Sequence, residues 1–141
     1  MRTPPRVVID PNALVSAAIS PKGTCGQLLD LVSSDQVVVV ACAQLIDELR
    51  KALLYPKLRR YITSERIDGF CNSFRSRCEI QPDPTATGRH TRDPDDDYLA
   101  ELALAAGAVA IVSGDNDLLD ADLPAEVWSP RETIQITTGT D

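Results

Sequence analysis

Asp93, Asp95, Asp96 and Asp97 crowd four carboxylates into five positions, directly ahead of an apolar run. Like charges that close raise one another's pKa unless a cation sits among them. A helix N-terminus would account for one or two of them. There a carboxylate gains about 0.3–1 kcal/mol from the macrodipole, and one can cap. It does not account for four. Further acids stand where structural acids are uncommon. Asp10 closes the apolar run RVVID, Asp115 and Asp117 follow AVAIVS in SGDNDLL, and Glu48 in IDEL adjoins a stripe of Leu45, Leu49, Ala52 and Leu53. Plainer readings stand beside these. A turn with a helix cap explains one of Asp115 and Asp117, and a surface pairing with Arg50 or Lys51 explains Glu48. As a set, hard oxygen donors point to Mg²⁺ or Mn²⁺. Zinc is disfavoured, because the chain has one histidine, His90, and no CxxC among Cys25, Cys42, Cys71 and Cys78.

Other chemistries can be tested by spacing. A calcium loop starting at Asp93 would have Tyr98 where glycine is required, and one starting at Asp115 would have Asp120 there. A covalent aspartyl phosphatase would want a second acid two residues after Asp10, where Asn12 stands. No Gly-rich phosphate loop, GxSxG elbow or HExxH is present.

The acids need elements to hold them. RVVID (6–10) reads as a buried strand, and Pro11 suits the first turn of a helix to about Ile19. GQLLDLVSS (26–34) has helical spacing. VVVVA (37–41) reads as a second buried strand, AQLIDELRKALLYPKL as a helix stopped by Pro56, and 63–78 as an amphipathic helix opening with a cap at Thr63. A short strand follows at 79–81. Asp97 to Ala106 reads as a helix ended by Gly107, AVAIVS (108–113) as a third buried strand and EVW (126–128) as a fourth core strand. SPRETIQI opens with a capping pattern at Ser129 and Glu132. Alternating, continuously apolar strands and helices imply a mainly parallel sheet covered on both faces, with the site at the strands' C-terminal ends. Asp10 and Asp115 both fall there.

A chain of 141 residues without a long linker suits one domain spanning 1–141. The longest apolar run, Leu102 to Val112, is too short to span a bilayer. The cysteines read as small buried side chains in a reducing cytosol. Net charge is −7, unevenly spread: residues 50–77 hold eight basic residues against two acids, whereas 93–122 holds nine acids and no base. The basic segment, with Arg50, Lys51, Lys57, Arg59 and Arg60, is either a phosphate-binding surface or a pair of solvated helix faces.

VVIDPN, IDEL, DPDDDYLAELALAAGA, IVSGDNDLL and SPRETI, in this order and at these separations, resemble the PIN-domain family, and within it the VapC-like toxins of toxin–antitoxin systems. The resemblance covers nearly the whole chain. It implies an α/β three-layer α/β/α sandwich and a cytoplasmic, metal-dependent endoribonuclease. It implies catalytic, metal-holding acids at Asp10, Glu48, Asp96 and Asp115, with Asp117 as an additional ligand and Asn12 and Ser113 as orienting partners. The implied products carry a 5′-phosphate and a 3′-hydroxyl. The implied partners are an RNA substrate, a cognate antitoxin and a second copy in a homodimer. Pro11 departs from the hydroxyl or small residue common in the family, which removes an N–H and a hydroxyl beside Asp10. A non-catalytic RNA- or protein-binding module and a structure-specific DNA nuclease are the alternatives.

Overall fold

Val7, Val8 and Ile9 have no exposed surface, so strand β1 (Arg6–Ile9) must be covered on both faces. The computed structural model describes residues 3–84, 97–114 and 126–139. Within them β1 is the middle of a five-stranded sheet. Its other strands are β2 (Val38–Cys42), β3 (Glu79–Gln81), β4 (Ala110–Val112) and β5 (Glu126–Trp128), in the order β3-β2-β1-β4-β5. Every pairing is parallel. All C-terminal tips therefore lie along one edge.

Among the described residues six helices flank this sheet: α1 (Pro11–Ile19), α2 (Thr24–Ser33), α3 (Ala43–Leu53), α4 (Ser64–Arg77), α5 (Asp97–Ala106) and α6 (Pro130–Thr138). The chain moves from β1 to β2 to β3 through α1–α4, then doubles back past β2 and β1 to β4 through α5. Right-handed crossovers put α5 on the opposite face from α1–α4. Accordingly α5 packs on β1, β2 and β4, while α1 packs against α2 and α3, α3 against α4 and α2 against α6. The result is the expected α/β/α sandwich. The reversal of direction beside β1 opens a crevice between the tips of β1 and β4, the place where such sheets bind ligands.

Local chemistry fixes the ends of these elements. Thr63 caps α4 by accepting from the Arg66 N–H, and Ser129 and Glu132 form a full capping box on α6. Gly107 takes φ +67°, with Gly107 N–H on Leu104 O and Ala108 N–H on Ala103 O. This left-handed termination of α5 absorbs residues 107 and 108, so β4 is shorter than the 108–113 expected. Helix α2 starts two residues earlier than expected, with Gly23 at its N-cap. EVW forms a strand, but at the sheet edge rather than in the core. It has one neighbour, β4, and Glu126 is exposed.

All four cysteines are free. Cys42 and Cys71 are buried, but Cys25 and Cys78 are only half-buried, because they sit at the first turn of α2 and the C-cap of α4. Burial pushes the Cys42 thiol up to about 11 and Cys78 up to about 12, which keeps both as thiols rather than nucleophilic thiolates at neutral pH. No described helix is long and apolar enough to cross a membrane.

Candidate active site

Pairing of Ile9 with Val112 sets Asp10 beside Ser113 at the strand tips. The Asp10 N–H continues the ladder to Val112 O at 2.9 Å. Its carboxylate is 3% exposed and held at both oxygens. Oδ1 accepts from the Asn12 N–H at 3.0 Å, and Oδ2 accepts from the Ser113 hydroxyl at 2.7 Å. Ser113 is fully buried, and its own N–H donates to Trp128 O at 2.9 Å. A buried charge so placed needs several donors to offset its desolvation.

Asp10 is also the N-cap of α1, and this explains how Pro11 is accommodated. Proline occupies N1, where the missing N–H would have no intrahelical acceptor. The capping bond comes from Asn12 at N2 instead. Asn12 thus acts through its backbone. Its exposed side chain lines a cleft of about 320 Å³ bounded also by Ala13, Ser16, Cys25, Gly114 and Pro130. Two of its lining residues, Asn12 and Gly114, lie two residues after Asp10 and one after Ser113.

Glu48 arrives on α3. Leu45, Leu49 and Leu53 are buried, and Ile46 joins them, which leaves Glu48 half-buried at the border of the apolar face. Tyr98, in the first turn of α5 and 5% exposed, donates its hydroxyl to Glu48 Oε2 at 2.7 Å. Burial raises the Tyr98 pKa most, followed by the bond to Glu48 and the negative charge of Glu48. The phenol therefore stays a donor at neutral pH. Tyr98 thus ties α5 to the Glu48 carboxylate on α3. Sequence reading missed Tyr98. Its signal was a lone hydroxyl in the apolar stripe just after the aspartates.

A second residue escaped the sequence. Asp83 accepts from the Gln44 N–H at 2.9 Å. The N-cap of α3, Cys42, offers no side-chain bond of its own, so Asp83 caps the helix that carries Glu48. Nothing local in the sequence reveals a contact spanning 39 positions.

Asp96, Asp115 and Asp117 lie outside the described residues. Among the described residues no three His, Cys, Asp or Glu side chains form a metal-holding group, and the described members of the expected donor set are Asp10 and Glu48. Both offer hard carboxylate oxygens, which suit Mg²⁺ or Mn²⁺.

The basic residues divide. Arg50 is ion-paired with Asp68 of α4, whereas Lys51, Lys57, Arg59 and Arg60 are exposed.

A family model described as PIN domain matches residues 6–117, the stretch that holds β1 to β4 and both Asp10 and Glu48. The chain belongs to the PIN-domain family. PIN domains are generally nucleases. An uncharacterized protein of Methanocaldococcus jannaschii is 34% identical over 92% of this chain and 90% of its own length. Two solved PIN-like folds align with TM-scores of 0.62 and 0.65. One is VapBC2 from Rickettsia felis bound to a DNA fragment from its promoter, 16% identical over 88% of this chain and 99% of that one. The other is PAE2754 from Pyrobaculum aerophilum, 14% identical over 95% of this chain and 90% of that one. At such identities the likeness is one of fold.

Proposed function

We propose that this PIN domain is a Mg²⁺- or Mn²⁺-dependent endoribonuclease and the toxin of a toxin–antitoxin pair. The observation that carries the reading is Asp10. It is a buried carboxylate at the switch point of the sheet, fixed at both oxygens by the Asn12 N–H and the Ser113 hydroxyl. A purely structural N-cap needs one oxygen and no burial.

In this reading Asp10, Glu48, Asp96 and Asp115 would hold the ion, with Asp117 as an additional donor. A bound divalent ion supplies a hydroxide at neutral pH and offsets charge building on the phosphate. The protein's share is positioning. Ser113 and the Asn12 N–H lock the Asp10 carboxylate, and Tyr98 locks one oxygen of Glu48, so neither acid has to be ordered at the moment of reaction. The cleft beside Asn12 and Gly114 gives a nucleotide room at the metal edge. Raised thiol pKa values at Cys42 and Cys78 fit a reaction that uses water rather than cysteine as nucleophile. The likeness to VapBC2 supports an antitoxin partner, and the family resemblance supports a homodimer.

The test is incubation of the full chain with a pool of cellular RNA and Mn²⁺, followed by sequencing of the cut ends. Metal-dependent cuts that vanish with EDTA and carry 5′-phosphates support the proposal. Tight Mn²⁺ binding without cleavage of any RNA would overturn it in favour of a non-catalytic module.

Tyr98→Phe tests the positioning role. It deletes one hydroxyl and keeps the ring. Loss of a partner that orients a ligand costs typically 10–100-fold in metal affinity, so Mn²⁺ affinity measured by calorimetry is expected to fall about 10-fold. Unchanged affinity would remove Tyr98 from the site.

A further inference from the structure

The segment LYPKLRRY, Leu54 to Tyr61, leaves α3 and contains no acid. It begins six residues beyond Glu48, roughly 9 Å of helix rise. Leu54, Tyr55 and Tyr61 are 50%, 58% and 51% exposed. Lys57, Arg59 and Arg60 interleave with them and are exposed as well. Exposed aromatics set among cations in a chain of net charge −7 call for an explanation, because solubility alone would favour neither.

Backbone hydrogen bonds tie the segment at both ends. Pro56–Leu58 forms a 3-10 turn, with Leu58 N–H on Tyr55 O and Tyr61 N–H on Leu58 O, both at 2.9 Å. Ile62, 4% exposed, pins the far end into the core. The Arg60 guanidinium lies 5.8 Å from the Tyr61 ring centroid, a cation–π arrangement that presents charge and ring together. Beside it opens a pocket of about 300 Å³ with Arg59 among its lining residues. A fixed turn holds two rings at low entropic cost, as a base-stacking platform requires.

We propose that Leu54–Tyr61 is a docking surface for single-stranded RNA, with Tyr55 and Tyr61 stacking on unpaired bases and Lys57, Arg59 and Arg60 engaging phosphates. The inference rests on the nuclease reading for its choice of polymer, and the charge pattern favours a polyanion with π faces over an acidic peptide.

Binding of labelled single-stranded oligoadenylate and of an RNA duplex is measured on the full chain without divalent ions, so that no strand is consumed. Tyr55→Ala and Tyr61→Ala are each expected to weaken single-strand binding about 10-fold, with Tyr61→Phe restoring it. Duplex binding should not change. Replacing Lys57, Arg59 and Arg60 by Gln is expected to flatten the salt dependence of log affinity by about 2, at roughly 0.7 per phosphate contact, whereas the tyrosine variants keep the slope. Tyrosine variants that bind single strands like the parent overturn the surface. So does a shift from dimer to monomer on sedimentation with RNA binding intact, which would assign the patch to a second copy. Mn²⁺-dependent cleavage is read separately. Cleavage with indifferent tyrosines sinks only the surface, and tyrosine-dependent binding without any cleavage sinks only the nuclease.

Discussion

Asp10→Asn is expected to lower Mn²⁺-dependent RNA cleavage by about 10³-fold, roughly 4 kcal/mol of transition-state stabilisation, while the fold survives. The separation of the two effects follows from the bonds around the residue. An asparagine amide oxygen can accept from the Asn12 N–H in place of Oδ1, and asparagine is as good an N-cap as aspartate. The amide NH₂ then faces Ser113, whose hydroxyl can rotate to accept instead of donate. Packing is unchanged because the side chains are isosteric. What disappears is one negative charge at the point where a cation would bind. Asp10→Ala would be a poorer experiment, since it removes the cap and strands the buried Ser113 hydroxyl together. The check pairs a cleavage assay with a thermal melt. Full activity with a native melt would remove Asp10 from the catalytic set, and a collapsed melt would show that the residue serves the fold first.

The sheet was legible because its strands are short, β-branched and apolar throughout, which in an alternating βα chain leaves little choice but a parallel sheet. Asp10 was legible for the same reason: a carboxylate after Val7, Val8 and Ile9 has to emerge at the strand tip. Ser113 came instead from the family resemblance, at the end of the matching apolar run on β4. Helix α4 and the capping box of α6 were legible from side chains that act within one turn. What could not be read depends on which elements meet. Tyr98 and Glu48 are 50 positions apart and touch only because α5 crosses back over β2 and β1. Asp83 reaches α3 from beyond β3, and Arg50 finds Asp68 only once α3 and α4 have packed. The edge position of β5 is likewise a property of strand order, which no local pattern encodes.

The same dependence on what lies across the gap makes glycine substitutions the sharpest test of the packing. Gly26 and Gly69 both sit in helices, and propensity alone predicts that alanine stabilises each, by up to about 1 kcal/mol in an exposed interior. At Gly69 that expectation holds. The residue is exposed on α4, and a Cβ there meets nothing within 4 Å. Gly69→Ala should therefore gain about 0.5–1 kcal/mol. At Gly26 the sign reverses. A Cβ would lie 1.9 Å from the Pro21 carbonyl oxygen and 2.4 Å from its carbon, and backbone cannot swing aside as a flexible side-chain end can. The turn before α2 must separate from the helix by more than 1 Å. Overpacking of this kind costs about 1–3 kcal/mol or more, which outweighs the propensity gain in a first-turn position. Gly26→Ala is thus expected to lower the melting temperature by roughly 5–10 °C and Gly69→Ala to raise it by a few degrees. Because α2 also walls the cleft beside Asn12 through Cys25, the shift at Gly26 should reach the cleft and reduce cleavage, whereas Gly69→Ala should leave cleavage unchanged. If both alanines stabilise, the Pro21 turn does not pack on α2 as closely as described, and the cleft wall is set by something else.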